Sequence, residues 1–210
     1  MTRRRGGAIA AVAAAGAALL AGCAHVAVEP QRDGLSFTER QMRLESIPAW
    51  RMRGRLAVST DKGGFQGGFL WAQAGDRIDV SVRGPLGANV LEVSGFPDKL
   101  TVTARGEQRV LDDPERDLSE LLGWWMPVES LPEWLLGLPD PGFPSDLHFA
   151  RNGSTLESLD QRLWHVVFEE YRLQGGLLVP RKIELSHAGL ELKLTVDTWQ
   201  AMESATRALN

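Results

Sequence analysis

The amino-acid sequence predicts a mainly β protein built on one twisted antiparallel sheet. Apolar and polar residues alternate in a series of short runs, and turn residues separate these runs at short spacing. Alternation with a period of two is typical of half-buried strands, because successive side chains point to opposite faces of a sheet. Strands that follow one another through tight turns form an antiparallel meander. A stretch with helical spacing interrupts the series in the middle, and helices placed there would cover the sheet.

Residues 1–22 are predicted to form the signal peptide of a bacterial lipoprotein. Three arginines at positions 3–5 precede an uncharged apolar run at residues 8–20, which is the layout of a secretory signal. The run is shorter than the roughly 20 apolar residues that span a bilayer. It ends in Leu20-Ala21-Gly22-Cys23, which resembles the lipobox at which lipoproteins are cut and lipidated. We expect cleavage before Cys23 and lipid attachment to its thiol; an ordinary signal peptide with a chance cysteine is the alternative.

Cys23 is the only cysteine of the chain, so no intramolecular disulfide can form. An odd cysteine in an exported chain needs an explanation such as modification, and lipidation supplies one. Ala24 follows the cysteine rather than an aspartate, which resembles lipoproteins of the outer membrane that face the periplasm. Residues 23–35 are polar and are broken by Pro30 and Gly34. They predict a flexible tether between the lipid and the domain.

Residues 36–200 are predicted to form a single domain, and residues 201–210 a loose tail. Cleavage before Cys23 would leave 188 residues with 20 basic and 27 acidic side chains, a formal charge of −7. This length suffices for one domain with a substantial core. Nucleic-acid binding depends on basic patches, so an acidic chain is a poor candidate for it.

The first helix is expected from its capping residue Ser36 to about Ile47. Glu39, three residues after the cap, completes a capping box, and Pro48 stops the helix. Strands are expected next, where apolar residues alternate between turns. The alternating runs are residues 50–60, 65–72, 78–83, 91–94 and 100–105.

Two helices are predicted in the middle of the chain. Residues 114–122 have a proline in the first turn and three leucines on one face, and residues 129–136 form a second, shorter helix. Strands resume after about Leu147, with alternation at residues 164–169, 181–186 and 190–197. Such a sheet can curl into a barrel whose mouth the helices plug. Its apolar face can be a solid core or an internal cavity, and periodicity does not distinguish these alternatives.

Signals for catalysis and metal binding are weak. No two histidines have the spacing of a zinc-binding HExxH helix, and no serine lies in a GxSxG turn. An acidic run at residues 112–117 is explained by the favourable position of acidic side chains at a helix N-terminus. We therefore expect no catalytic residue, no metal site and no cofactor.

The segment Gly84-Pro85-Leu86-Gly87 joins two predicted strands and should form an exposed turn. A leucine at the tip of such a turn has little to pack against. Single exposed leucines are common and usually carry no function. The functional alternative is that Leu86 inserts into a lipid surface or contacts a partner.

Segments along most of the mature chain match the pattern of one family in the right order. They are Trp50 with Arg53-Gly54-Arg55-Leu56-Ala57-Val58, Gly68-Phe69-Leu70-Trp71, Gly84-Pro85-Leu86-Gly87, Gly123 with Met126-Pro127-Val128, Leu131, Trp134-Leu135, Gly137-Leu138-Pro139, Gln161, Trp164 with Val166 and Tyr171, Pro180-Arg181, and Asp197-Thr198-Trp199. Behind a lipobox, this series resembles LolB, the family of outer-membrane receptors that ends the lipoprotein-sorting (Lol) pathway. One departure is Leu163, which stands where the family often has glycine before the tryptophan.

The resemblance implies an unclosed antiparallel β-barrel of about eleven strands, with inserted helices as a lid over a hydrophobic cavity. It implies a receptor, not an enzyme, that takes acylated lipoproteins from the periplasmic carrier LolA. The receptor passes them into the inner leaflet of the outer membrane without nucleotide. The implied partners are LolA, acylated lipoprotein cargo and outer-membrane phospholipid, and the protein is expected to be a monomer. Leu86 aligns with a loop leucine that delivers cargo to the membrane.

The inward positions of the predicted strands would then touch the acyl chains. The candidates are Trp71, Val80, Val82, Leu91, Val93, Leu100, Val102, Trp164, Val166, Ile183, Leu185, Leu192 and Leu194. We expect about half of them to line a cavity and the rest to be plain core.

Three other functions share parts of this pattern. A lipid- or glycolipid-binding periplasmic lipoprotein of similar fold shares the lipobox and the alternation but gives no reason for the leucine turn. A lipid-tethered periplasmic hydrolase requires a polar cleft with perturbed carboxylates, and no such constellation is evident. A structural subunit of an envelope assembly requires an obligate partner surface.

Overall fold

The fold is given by a computed structural model that describes residues 32–203. Its helices are α1 (Phe37–Glu45), α2 (Pro114–Leu122) and α3 (Leu131–Leu135). Its strands are β1 (Ala49–Thr60), β2 (Gly63–Ala74), β3 (Arg77–Arg83), β4 (Asn89–Phe96), β5 (Lys99–Ala104), β6 (Glu107–Leu111), β7 (Ser145–Phe149), β8 (Leu156–Gln161), β9 (Trp164–Gln174), β10 (Leu177–His187) and β11 (Leu190–Met202). The predicted signal peptide, most of the predicted tether, the lipid site Cys23 and most of the predicted tail lie outside the described residues.

The eleven strands of the described range form one antiparallel sheet. Their order is β6-β5-β4-β3-β2-β1-β11-β10-β9-β8-β7. The first and last long strands, β1 and β11, pair with each other in the middle, while β6 and β7 are the edges. Because these edges do not pair with each other, the sheet is an unclosed barrel. The predicted fold class is confirmed.

Three strands, β6, β7 and β8, lie outside the alternating runs of the sequence. In β8 the buried residues Leu156 and Leu159 are three apart, which is not the spacing of a strand. The register with β7 explains it: Leu156 pairs with Phe149 and Ser158 with His148, so one extra residue bulges between them. A bulge shifts the alternation by one residue. At the C-terminal end of the domain, β11 runs to Met202, two residues past the expected end at residue 200.

Helix α1 connects the end of α3 to the sheet. Its capping box is present, since the N–H of Glu39 donates to Ser36 Oγ and the N–H of Ser36 donates to Glu39 Oε2. The guanidinium of Arg40 is buried and donates to the carbonyls of Leu136, Gly137 and Leu178, each at 3.3 Å. Hydrogen bonds from a charged donor satisfy these buried carbonyls. They tie the end of α3 to β10.

The turns of the sheet divide between two ends, because neighbouring strands are antiparallel. The turns β1–β2, β3–β4, β5–β6, β8–β9 and β10–β11 lie at one end, which we call the Leu86 end. The turns β2–β3, β4–β5, β7–β8 and β9–β10 lie at the opposite end. Asp33 is bound at that opposite end, where its carboxylate accepts a hydrogen bond from the N–H of Leu178 at 3.0 Å. The last residues of the predicted tether are therefore attached to the domain.

The β8–β9 turn holds two residues other than glycine in the left-handed conformation. Arg162 has φ +52° and Leu163 has φ +65°, a conformation that costs roughly 1–2 kcal/mol for each L-residue. The side chain of Arg162 fixes the turn through two hydrogen bonds to Glu115, at 2.8 and 2.6 Å. The side chain of Leu163 is 85% exposed and contributes little packing. The leucine therefore strains the turn without a compensating contact.

We expect Leu163→Gly to stabilise the protein. Glycine adopts positive φ without strain, but it loses more backbone entropy on folding than leucine does. The relief of strain should exceed this entropy cost by roughly 0.5–1 kcal/mol. Thermal unfolding should shift upward by about 2–4 °C for each kcal/mol. Val110→Gly is the control, because Val110 is also exposed but lies in β6 without positive φ; it should lower the melting temperature. A lower melting temperature for Leu163→Gly would contradict the strain argument.

Candidate functional site

A cavity of about 860 Å³ lies between the inner face of the sheet and the helices. Its volume is within the roughly 300–1,000 Å³ of sites that enclose small hydrophobic ligands. Most of the lining is apolar and comes from β1–β6, β10, β11, the two later helices and the segment between them. The polar lining residues lie at the β1–β2 and β5–β6 turns, so the cavity reaches the surface at the Leu86 end.

Two rows of register partners form the wall of the cavity on the side of the sheet. Residues directly opposite each other on antiparallel strands point to the same face. The first row, from β2 to β5, is Trp71, Val80, Val93 and Val102. The second row is Phe69, Val82, Leu91 and Ala104. The alternation of the four strands is thus in phase across the sheet, and every member of both rows lines the cavity.

Residues 114–135, which we call the lid, cover the cavity. The face of α2 that carries Leu118, Leu121 and Leu122 lines the cavity, with the three-to-four-residue spacing of an amphipathic helix. Gly123, at φ +82°, ends α2 in the left-handed conformation. The chain then turns back, and Trp124 and Met126 add to the lining.

An ion pair fastens the lid to the sheet. Arg162, in the β8–β9 turn, makes a two-pronged contact with the carboxylate of Glu115 in the first turn of α2. Both side chains are more than four-fifths buried, so solvent screens the pair little. The guanidinium also lies 4.0 Å from the ring centroid of Phe143. Two parallel hydrogen bonds fix direction as well as distance, so α2 is held in one orientation.

Helix α3 fills one half of the barrel. Trp134 is fully buried, its ring centroid lies 6.4 Å from that of Trp164, and its Nε1 donates to Gln161 Oε1 at 2.8 Å. The neighbouring face of α3, with Leu131 and Leu135, lines the cavity. The helix therefore separates a solid core on one side from the cavity on the other.

Nine of the thirteen candidate positions line the cavity. They are Trp71, Val80, Val82, Leu91, Val93, Val102, Leu185, Leu192 and Leu194. The other four have at most 2% exposure and belong to the plain core that was expected for part of the set: Leu100, Trp164, Val166 and Ile183. Alternation identified the apolar face of the sheet, but it carries no information about which part of that face is packed solid and which part borders the cavity.

Several lining residues were missed by the sequence interpretation. The strands near the β1–β2 turn contribute Leu56, Val58, Phe65 and Phe69, and the lid contributes the residues described above. The period-two signal was present for Leu56 and Val58. The spacing of the lid leucines does not indicate whether they face a cavity or a filled core; only the family resemblance implied a lid over a cavity.

Leu86 is 99% exposed at the tip of the β3–β4 turn. Two backbone hydrogen bonds close the turn: the N–H of Gly84 donates to Ala88 and the N–H of Gly87 to Gly84, both at 2.9 Å. Gly87 has φ +80°, which an L-residue adopts only with strain. The turn is thus a rigid support that projects one apolar side chain away from the protein.

Residues 32–203 contain no cluster of three histidine, cysteine or acidic side chains that could hold a metal ion. None of the helices in this range has the length and apolar character required to cross a bilayer. The cavity under the lid is lined mainly by apolar side chains.

An open β-barrel with an apolar cavity under a helical lid defines a protein class that shelters hydrophobic ligands from water. The family model described as "Outer membrane lipoprotein LolB" matches residues 48–199 of the chain. The chain therefore belongs to the LolB family. Its members are outer-membrane lipoprotein receptors, not enzymes, and the receptor class and the outer-membrane localisation predicted from the sequence are confirmed.

Curated relatives can be aligned with this chain over nearly their whole length. An outer-membrane lipoprotein LolB from Nitrosococcus oceani is 35% identical over 188 residues, 87% of this chain and 92% of the relative. Proteins of the same name from Pseudomonas fluorescens and Aeromonas salmonicida are 32% and 31% identical, over 87% and 86% of this chain and 91% of each relative.

Solved structures with little sequence identity share the fold. A LolA superfamily protein from Nitrosomonas europaea has a TM-score of 0.52 at 7% identity and covers 84% of this chain and 98% of its own. A DUF1329 family protein from Desulfovibrio piger also has a TM-score of 0.52, at 8% identity, over 80% of this chain and 91% of its own. These likenesses concern the fold alone.

One titratable group of the lid sits in an unfavourable environment. The pKa of Glu133, in α3, is raised to about 7, chiefly by burial and to a smaller extent by the carboxylates of Asp140, Glu45 and Asp76. A backbone hydrogen bond opposes the shift, and Glu133 Oε2 has no hydrogen-bond partner. The folded protein therefore retains a proton that the unfolded chain, with a glutamate pKa near 4.5, releases earlier.

We expect the free energy of unfolding to fall as pH rises from 4.5 to about 7. The stabilising contribution is complete below the pKa of the unfolded chain and is lost as pH rises through the pKa of the folded state. The loss is on the order of 2–3 kcal/mol. Glu133→Gln should remove it, whereas Glu129→Gln, at an exposed position, should not. Urea unfolding of both variants at pH 5 and pH 8 measures the difference, and an unchanged pH profile in Glu133→Gln would contradict this origin.

Proposed function

We propose that this protein accepts acylated lipoproteins from the periplasmic carrier LolA and inserts them into the inner leaflet of the outer membrane. The cavity under the lid is the observation that carries the proposal. In this proposal the acyl chains occupy the cavity, Leu86 contacts the bilayer, and the protein acts as a monomer. The nine cavity-lining candidates contact the acyl chains, and the four in the core support them from behind.

The physical need for such a cavity comes from the cost of exposing acyl chains to water. Each methylene group contributes about 0.8 kcal/mol when it leaves water. An apolar wall of valines and leucines gives the chains an environment close to that of a bilayer. The lid has a matching role, because its leucines line the cavity on the side that faces the sheet.

Transfer without nucleotide requires a gradient of affinity. A ligand moves from carrier to receptor to membrane if each host binds it more tightly than the one before. The cavity reaches the surface at the Leu86 end, so both acceptance and release take place there. Contact of Leu86 with the bilayer would bring this opening close to the membrane that receives the cargo.

The proposed lipid anchor is compatible with this orientation. Cleavage before Cys23 would leave about ten residues between the lipid and Asp33, which span at most roughly 33–36 Å. Strand β10 has 11 residues and is about 36 Å long, or about 28 Å along the axis of a barrel with a usual tilt. An extended tether, fixed at the opposite end, therefore lets the Leu86 end reach the same bilayer that holds the lipid.

We expect Leu86→Glu to accept cargo from LolA but to deliver it poorly. Burial of one leucine contributes roughly 1.5–3 kcal/mol, so insertion into vesicles should slow by about tenfold or more. The compact unit begins at Gln31, so a soluble form that starts at Ala24 keeps all of it. Loaded LolA with labelled lipoprotein is mixed with this form, without nucleotide, and the label is followed with and without outer-membrane vesicles.

The control for delivery is Phe96→Glu. Phe96 is also exposed and apolar, at 47%, but it lies at the opposite end of the sheet, so its delivery rate should equal that of the unsubstituted protein. If no label leaves LolA, the receptor proposal is wrong, and free lipids or glycolipids become the ligands to test.

Val80→Asp should weaken acyl binding by at least about tenfold. Val80 lines the cavity in the first row of register partners, and a carboxylate there would lose solvation when an acyl chain covers it. Ser81→Asp is the matched control on the outer face of β3. Binding of a fluorescent fatty-acyl probe to the two variants measures the effect. Equal affinities would show that the chains bind elsewhere.

A further inference from the structure

The turn that carries Leu86 has a cationic neighbour on each side. Along the sheet, the hairpin β3–β4 lies between the hairpins β1–β2 and β5–β6, and all three turns are at the Leu86 end. Lys62 is in the first flanking turn and Arg105 in the other. We call the three turns, residues 60–64, 83–90 and 105–109, the cavity rim. Lys62 and Arg105 both line the opening of the cavity.

The rim has the opposite charge to the chain as a whole. It contains four cations, Lys62, Arg83, Arg105 and Arg109, and two carboxylates, Asp61 and Glu107, which is a local excess of two positive charges. The full chain has a formal charge of −4. Long-range attraction to an anionic surface is therefore absent, and any attraction must come from the rim at short range.

Three of the four cations form no ion pair with another described residue, and two of these three line the opening of the cavity. Arg109 pairs with Glu107 at 3.2 Å, and Arg83 donates to the amide oxygen of Asn89. Lys62 and Arg105 are exposed and form no ion pair with another described residue. The sheet holds the backbone of both turns, so these two residues lie on either side of an exposed leucine.

We propose that the cavity rim is a docking surface for anionic phospholipid, in which Lys62 and Arg105 bind headgroup phosphates while Leu86 enters the acyl layer. The proposal deepens the function proposed above and rests on it for the role of Leu86. An apolar tip between two cations matches the layers of a bilayer surface, which has phosphates outside and acyl chains beneath. A protein partner would not require that order of chemistry.

The two kinds of contact act at different ranges. A basic side chain near an anionic membrane is attracted within about one Debye length, roughly 8–10 Å, and salt weakens the attraction. Insertion of leucine needs direct contact and does not depend on salt. The cations would therefore orient the opening towards the bilayer before Leu86 inserts.

The test compares the soluble form with its Lys62→Gln, Arg105→Gln double variant. Binding is measured by flotation with vesicles of zwitterionic phospholipid alone and with anionic phospholipid added, at low and high salt. Two surface cations should account for a loss of roughly 30-fold in binding to the anionic vesicles. The loss should disappear at high salt and on zwitterionic vesicles. Arg53→Gln, which removes an exposed cation on the wall of β1 away from the rim, should bind as the unsubstituted protein does.

Cargo acceptance from LolA, measured without vesicles, separates this inference from the function it rests on. The proposal makes vesicle binding, rather than cargo acceptance, the step that depends on the two cations, so the double variant should lose much more vesicle binding than cargo acceptance. If it binds vesicles normally but accepts cargo poorly, the rim docks the carrier and the proposal is overturned. The proposal is also overturned if Arg53→Gln loses as much binding as the double variant, or if the double variant loses none. If the unsubstituted protein accepts no cargo, the proposed receptor function is wrong. The vesicle comparison then still shows whether the rim cations bind anionic phospholipid.

Discussion

The packing of α3 against the inner face of the sheet is the constraint on which the other features depend. An eleven-stranded sheet with one apolar face must either fill its concave side or leave it open to a ligand. Trp134 fills one half, where it contacts Trp164 and bonds Gln161. The other half keeps a cavity of about 860 Å³. The same short helix thus stabilises the fold and sets the boundary of the site.

Two further sets of polar contacts hold the lid in place. Arg40 ties the end of α3 to β10, and the pair of Arg162 with Glu115 ties the start of the lid to the β8–β9 turn. The lid is therefore fixed at both ends, while its middle covers apolar surface that is only partly filled. A buried ion pair that loses one partner is strongly destabilising. The two attachments therefore specify one position of the lid, while the lining of the cavity is mainly aliphatic and aromatic.

The two ends of the sheet differ in chemistry. The opposite end holds Asp33 and α1, so it is where the chain enters the domain. The Leu86 end holds the opening of the cavity, an exposed leucine and the exposed cations Lys62 and Arg105. This polarity follows from antiparallel order alone, because every second turn returns to the same end of the sheet. A receptor held by a lipid on its tether can use it to present the opening to the membrane.

The sequence by itself determined the antiparallel sheet, the two middle helices, the family and the exposed position of Leu86. These features depend on local periodicity, on turn residues and on the order of short motifs, all of which are local properties of the sequence. It also determined which face of each strand is apolar, since Val80 and Val166 both alternate correctly. Only the tertiary structure decided that Val80 lines a cavity while Val166 lies in solid core. The difference depends on where α3 lies on the sheet, and a contact between elements so distant in the chain leaves no periodic signal in either of them.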